Sequence, residues 1–274
     1  MSFADLHLHT TFSDGTVEPE QLIAKVKKTN LAAISITDHD TVSGLLAASF
    51  YAQQQGLEVI PGIELSVDHG GIEVHLLGYF IDYLSKSFQD KLESLKTIRQ
   101  ERVYKICSKL KNIGVDLDPK DVFDIGGEGT VGRLHVARAM FAKGLIKTTQ
   151  EAFQKYIGDN GPAYVCGFRF TIIEAIKFIK DFGGIAVLAH PYLLRNDKLI
   201  EEFVGYGLQG LEVYYPEHNF VLTQYYLEMA DKYKLLVTGG SDYHGKAKPD
   251  VKIGQAKIPY ELVEKLKQAR KINE

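Results

Sequence analysis

Cysteine is almost missing from this chain. Only Cys107 and Cys166 occur in 274 residues, and neither stands in a C-x-x-C. Neither a disulfide framework nor a cysteine-held zinc cluster is expected, and a reducing, cytoplasmic setting fits best. No apolar run approaches the ~18–20 residues of a membrane span, and the first residues enter a strand pattern with no signal-peptide pattern before it. The chain has no G-x-S-x-G and no P-loop pattern to argue for a side chain as covalent nucleophile. It has no internal repeat and no low-complexity segment. What remains is ordinary for a soluble globular protein: 45% hydrophobic and 24% charged residues. The length suits one large α/β domain, or one domain with an insertion.

Net charge is only −3, which argues against non-specific nucleic-acid binding, but the charge is unevenly spread. Residues 86–170 hold 15 Lys+Arg and 10 Asp+Glu, a net of +5; the remainder holds 17 and 25, a net of −8. An acidic body suits cations, and a basic segment beside it suits an anionic substrate. Uneven surface charge without function would look the same.

Strand and helix patterns alternate along most of the chain. Strands are expected at 3–9, 32–37, 57–65, 72–80, 184–189, 210–215 and 235–238. Helices are expected at 18–28, 43–54, 171–182, 197–205, 219–234 and 260–271. Between them lies a long amphipathic helix, 87–113, with Leu92, Leu95, Ile98, Val103, Ile106 and Leu110 on its apolar face. Shorter helices are expected near 119–124, 133–143 and 149–157. About seven strands in βα units imply a parallel sheet, nearer a closed barrel than an open sheet. The expected domains are a barrel from 1–85 and 171–274, and a helical insertion, 86–170, covering the active site.

Such folds place chemistry at the carboxyl ends of strands, and there this sequence concentrates histidine and carboxylate. In Asp5-Leu6-His7-Leu8-His9 the period of two puts Asp5, His7 and His9 on one face. Two imidazoles so spaced suit one cation, although H-x-H alone also fits a solvated strand face. Asp14-Gly15 follows in the next loop. His39 stands between Asp38 and Asp40 just past the second strand; either carboxylate is placed to orient it, and Asp40 with Thr41 also suits a helix cap. Glu64 closes the apolar run 59–63, and its two oxygens suit a bridge between cations ~3.5–4 Å apart. His75 shares a strand face with Glu73, Leu77 and Tyr79, where a buried, hydrogen-bonded histidine is the plain alternative. His190 precedes Pro191 at another strand end, and Asp242 and His244 repeat the i, i+2 spacing after Gly239-Gly240. Each signal alone is weak. Six histidines and three carboxylates at successive strand ends are not.

These residues together resemble the PHP (polymerase and histidinol phosphatase) family, whose four motifs stand here as H-x-H with S-D-G, T-D-H-D, G-I-E and S-D-Y-H-G, beside A-H-P. The resemblance covers essentially the whole chain. It implies a distorted (β/α)7 barrel of the α/β class, a centre of two or three divalent metals, and phosphoester hydrolysis. By motif, His7, His9, Glu64 and Asp242 would hold one metal. Glu64, His75 and His190 would hold a second, and Asp14, His39 and His244 a third. The insertion carries Gly132-Arg133-Leu134-His135, with Phe153-Gln154-Lys155-Tyr156 and Gly161-Pro162-Ala163-Tyr164-Val165. It resembles a subgroup of nucleoside 3′,5′-bisphosphate phosphatases and 5′→3′ exonucleases of short RNA. That resemblance implies that the insertion covers the barrel mouth and that Arg133 and His135 hold substrate phosphate; Arg offers phosphate oxygens a planar fork.

The expected catalyst is a metal-bound water supported by Asp14, His39, Glu64, His190 and His244. His218, beyond another strand end, is a further candidate for substrate contact. Arg99, Arg102 and Lys105 are expected on the solvated face of the long helix, Arg138 on a helix surface, and His69 in a turn before Gly70-Gly71. Manganese is the first expectation among metals, with Fe²⁺ and Zn²⁺ also suited to mixed N/O ligands. The expected partner is a nucleotide or a short RNA end, with no long duplex and no membrane, bound by a monomer. Histidinol-phosphate hydrolysis, an accessory role in a polymerase assembly, and a non-catalytic metal-binding module are the alternatives.

Overall fold

The computed structural model describes residues 2–127, 129–166 and 170–273. Eight strands form one sheet in the order β7-β6-β5-β4-β3-β2-β1-β8. In chain order they are β1 (Phe3–Leu8), β2 (Leu31–Ile36), β3 (Glu58–His69), β4 (Ile72–Tyr79), β5 (Ile185–Leu188), β6 (Gly210–Tyr214), β7 (Leu236–Gly239) and β8 (Ile258–Pro259). The far edges approach each other: the His9 amide donates to the Tyr243 carbonyl at 3.0 Å. The sheet is thus a nearly closed barrel, with helices α1 (Pro19–Val26), α2 (Leu45–Gln54), α7 (Ile172–Asp181), α8 (Lys198–Gly205), α9 (Phe220–Lys232) and α10 (Tyr260–Asn273) around it. Leu6, Ile60, Leu77, Tyr79, Ile185 and Val187 belong to one inner cluster, and the larger cluster lies between sheet and helices.

Two strands, β4 and the short β8, break the all-parallel expectation. β4 runs antiparallel to both β3 and β5. The cause is Gly70-Gly71, both with positive φ (+63° and +86°), which joins β3 to β4 as a tight hairpin. His69 accordingly ends a strand, paired with Ile72, rather than sitting in the turn. β3 also runs past Glu64 to His69, so Glu64 lies within a strand. β8, two residues antiparallel to β1, is too short to be visible as a pattern.

The all-helical stretch comprises α3 (Lys86–Asn112), α4 (Pro119–Gly126), α5 (Arg133–Ala142), α6 (Thr149–Ala152) and a five-residue π-turn, Phe153–Ile157. It has an apolar cluster of its own, built on Val103, Ile106, Leu110, Val136, Met140 and Ile157. The start of α3 instead packs Leu92 and Leu95 on the barrel cluster. Local signals set the helix ends. Asp118 caps α4 ahead of Pro119, and Thr171 and Glu174 form a reciprocal capping box on α7.

Candidate metal centre

The carboxyl ends of β1, β2, β3, β5 and β7 open on one mouth, and β4, being inverted, reaches it with its first residues. Glu64 stands at the centre, 1% exposed. Its Oε2 lies 3.2 Å from His7 Nε2, 3.1 Å from His9 Nε2 and 3.4 Å from His39 Nδ1. Its Oε1 lies 2.8 Å from His75 Nδ1 and 3.1 Å from His190 Nε2. Asp242 Oδ1 faces His9 Nε2 at 3.2 Å and His7 Nε2 at 3.5 Å. On the remaining side Asp14 Oδ1 lies 3.0 Å from His244 Nε2, and Asp14 Oδ2 lies 3.7 Å from His39 Nε2. All nine residues singled out in the sequence therefore meet. Ligand-type atoms converge in three groups: His7, His9, Glu64 and Asp242; His39, Glu64 and His75; and His9, Asp14, His39 and His244. Where the motif resemblance gives His190 to the second group, the structure sets it 3.3 Å from His75 Nδ1.

Close backbone approach makes this convergence possible. A Cβ on Gly240 would fall 2.4 Å from the His7 backbone nitrogen, so only glycine lets the end of β7 lie against β1. His190 (φ 27°) and Asp242 (φ 52°) occupy the left-handed region, as does Asp40 (φ 52°). Such strain persists only where the surroundings enforce it, and it concentrates at functional sites.

Charge in the centre is arranged to attract cations. Burial opposes ionisation of Glu64, Asp14 and Asp242, yet neighbouring histidines, and Lys248 beside Asp242, outweigh it and hold all three carboxyls well below their ordinary range. Burial likewise resists protonation of His9 and His75. Asp242 and Glu64 beside His9 push it up to about 9, and Glu64 and Glu73 beside His75 push it to about 10. His39 and His244 are shifted down, first by burial. The donor set fits divalent metals: imidazole nitrogens and carboxylate oxygens, no thiolate. A second observation agrees. His9 Nε2 and His39 Nδ1 are buried and make no hydrogen bond of acceptable geometry. Unpaired buried polar atoms cost about 1–3 kcal/mol each, and a cation between them removes that cost.

Several supporting residues escaped the sequence reading. Glu212 Oε1 accepts a hydrogen bond from His7 Nδ1 at 2.8 Å, and its Oε2 accepts one from the His190 amide at 2.8 Å. The signal was a lone carboxylate between Leu211 and Val213 in a buried strand. Glu73 Oε1 lies 3.1 Å from His75 Nε2, while its Oε2 accepts Arg102 at 2.9 Å and Arg133 at 3.0 Å. Asp242 Oδ2 accepts Tyr215 Oη at 2.8 Å and Lys248 Nζ at 2.5 Å. Metal-binding imidazoles generally need such partners to fix ring orientation.

Other expectations are corrected. Neither neighbouring carboxylate orients His39. Asp38 accepts from Thr10 and Ser13, and Asp40 accepts the Ser66 amide and Arg99 Nε. Asp40 does not cap a helix either, since α2 begins at Leu45 after Gly44. Arg99 and Arg102 are buried, not solvated, because the mouth lies against that level of α3; Lys105 is exposed. Arg138 is half-buried. His135 is 1% exposed, with burial bringing it down to about 4. Its Nδ1 accepts the Gly132 amide at 3.1 Å, closing the first turn of α5. His218 donates from Nδ1 to the Val213 carbonyl at 2.7 Å and packs among Tyr192, Tyr215 and Tyr226. Arg133 lines the cavity over the centre; His135 and His218 do not.

Comparison with known proteins decides the family. The PHP domain model matches residues 5–161. The chain belongs to the PHP domain family. A 5′-3′ exoribonuclease of Haemophilus influenzae is 31% identical over 245 residues, spanning 88% of this PHP chain and 89% of the relative. A 3′,5′-nucleoside bisphosphate phosphatase of Chromobacterium violaceum is 30% identical over 254 residues, spanning 89% and 88%. The crystal structure of a proposed metal-dependent phosphoesterase of Bifidobacterium adolescentis superimposes with a TM-score of 0.86 at 29% identity, covering 97% of this chain and 96% of that one.

Proposed function

We propose that this PHP protein is a metal-dependent phosphoesterase acting on nucleotide phosphoesters. It would release phosphate from nucleoside 3′,5′-bisphosphates, trim short RNA from its 5′ end, or both. The observation that carries this reading is Glu64, whose two oxygens face two different histidine sets, as a carboxylate bridging two cations would. His7, His9, Glu64 and Asp242 would hold one cation; Glu64, His75 and His190 would hold a second; Asp14, His39 and His244 would hold a third. Manganese is the first candidate, and Fe²⁺ and Zn²⁺ suit the same donors. When bound, such cations acidify water and neutralise charge on phosphoryl oxygens.

The chain's own residues supply the rest. Glu212, Glu73 and the Asp242 carbonyl fix the rings of His7, His75 and His244 through their second nitrogens. Arg133 and Lys248 both line the cavity and would supply positive charge to an anionic ester. The helices between 86 and 170 form a cover over the mouth, which favours short or end-on substrates over duplex. The test is a panel with Mn²⁺: a nucleoside 3′,5′-bisphosphate, a short 5′-phosphorylated RNA and histidinol phosphate. Turnover of either nucleotide substrate, lowered by at least about 100-fold in Glu64→Gln, is expected. Turnover of histidinol phosphate alone would overturn the reading.

A further inference from the structure

The cavity directly over the centre has a volume of about 200 Å³. A phosphate fits there; a whole nucleotide needs more room. The cavity shares Glu73, His75, Arg133, Phe153, His190 and Leu193 with a second one of about 760 Å³. That volume falls in the ~300–1,000 Å³ range of small-molecule sites.

Charge divides the two spaces. Arg99, Arg102 and Lys248 line only the smaller one. In the larger one, Arg133 is matched by Glu73 at 3.0 Å and Asp159 at 2.6 Å, and Arg195 stands exposed at its wall. With cations offsetting Asp14, Glu64 and Asp242, the small space would suit an anion, and the larger one, with Arg195 at its wall, suits a less charged group. Its walls suit a flat heterocycle. Phe153 opens the π-turn, a local widening of the helix often found at functional sites. Leu193, on the short helix Pro191–Leu194, leaves 49% of its surface open. Gln154 and Asn160 also line the chamber, and their amide groups hydrogen-bond to nothing else among the described residues. Free amides offer both donor and acceptor to a base edge.

We propose that this lateral chamber receives the nucleobase of the substrate, packed on Phe153 and Leu193, while its phosphate lies over the metal centre. The inference rests on the phosphoesterase reading and gives its substrate a direction in the site. The test is equilibrium binding to the Mn²⁺-loaded protein of adenosine 5′-monophosphate, ribose 5-phosphate and inorganic phosphate. The adenosine compound is expected to bind about tenfold or more tightly than ribose 5-phosphate. Phe153→Ala should weaken it by a similar factor. Phe153 also packs within the helical cover, so Leu193→Trp, at an exposed position, is the second variant. It should fill the chamber and weaken the adenosine compound while inorganic phosphate still binds. Equal binding of adenosine 5′-monophosphate and ribose 5-phosphate would overturn the proposal, as would two folded variants that bind the nucleotide normally. Preserved base discrimination in a protein that turns over no nucleotide would count against the hydrolytic reading and support the chamber.

Discussion

At the scale of single residues, the centre depends on side chains that touch no substrate. Glu73 takes a hydrogen bond from His75 and ion pairs from Arg102 and Arg133. Glu73→Ala frees the His75 ring and is expected to weaken one metal site about 10–100-fold; Mn²⁺ titration should show one weakened class of site beside others retained. His135 makes a different prediction. Its folded form holds it at about 4, below the ordinary 6.5, so the fold prefers it neutral. That preference is fully present above pH 6.5 and is lost as pH falls towards 4. Over that window the cost approaches about 3 kcal/mol. Metal-free His135→Gln should therefore lose less stability than the parent between pH 6.5 and 4, measured as the difference between two denaturation curves. These roles explain what the sequence hid. The nine residues of the centre were legible because histidine and carboxylate recur in or beside successive apolar strand runs. Glu73, Glu212 and Lys248 were not, since a carboxylate or lysine shows its partner only after distant segments meet.

At the scale of elements, patterning located nearly every helix and strand but missed the inversion of β4. Alternation of strand and helix suggested parallel pairing, and the Gly70-Gly71 hairpin overrode it. The inversion changes which residues can serve. It puts Glu73 and His75, early in their strand, at the mouth. The burial of Arg99 and Arg102 was equally hidden, because helical periodicity does not say that a second body will cover the polar side. Arg99 joins α3 to the loop after β2 through Asp40 at 2.6 Å and to β3 through Ser66 at 2.8 Å. Both members of the Arg99–Asp40 pair are buried. Arg99→Met strands the Asp40 charge and is expected to cost about 3–5 kcal/mol, read from urea unfolding of the metal-free protein.

At the scale of the whole molecule, cations and fold are coupled. The strained backbone at His190 and Asp242, and the unpaired nitrogens of His9 and His39, are tolerated in exchange for a preformed centre. Metal at about 100 times its dissociation constant adds about 2.7 kcal/mol of stability. For a chain of this size that is a rise of about 5–11 °C in melting temperature. Calorimetry with Mn²⁺ and then with excess chelator should show it; identical melting curves would mean that the centre takes no cation. Among the described residues no helix is long and apolar enough to cross a membrane.

The inverted strand has one more outcome. Because β4 descends, the chain leaves the barrel at the floor and must climb its full height before it can roof the mouth. α3 makes that climb in a single 27-residue rod, roughly 40 Å long, bolted low to the barrel by Leu92 and Leu95 and high to the roof by Val103 and Ile106. One element thus ties the barrel core to the helices whose Arg133, Leu134 and Phe153 line the cavity over the centre.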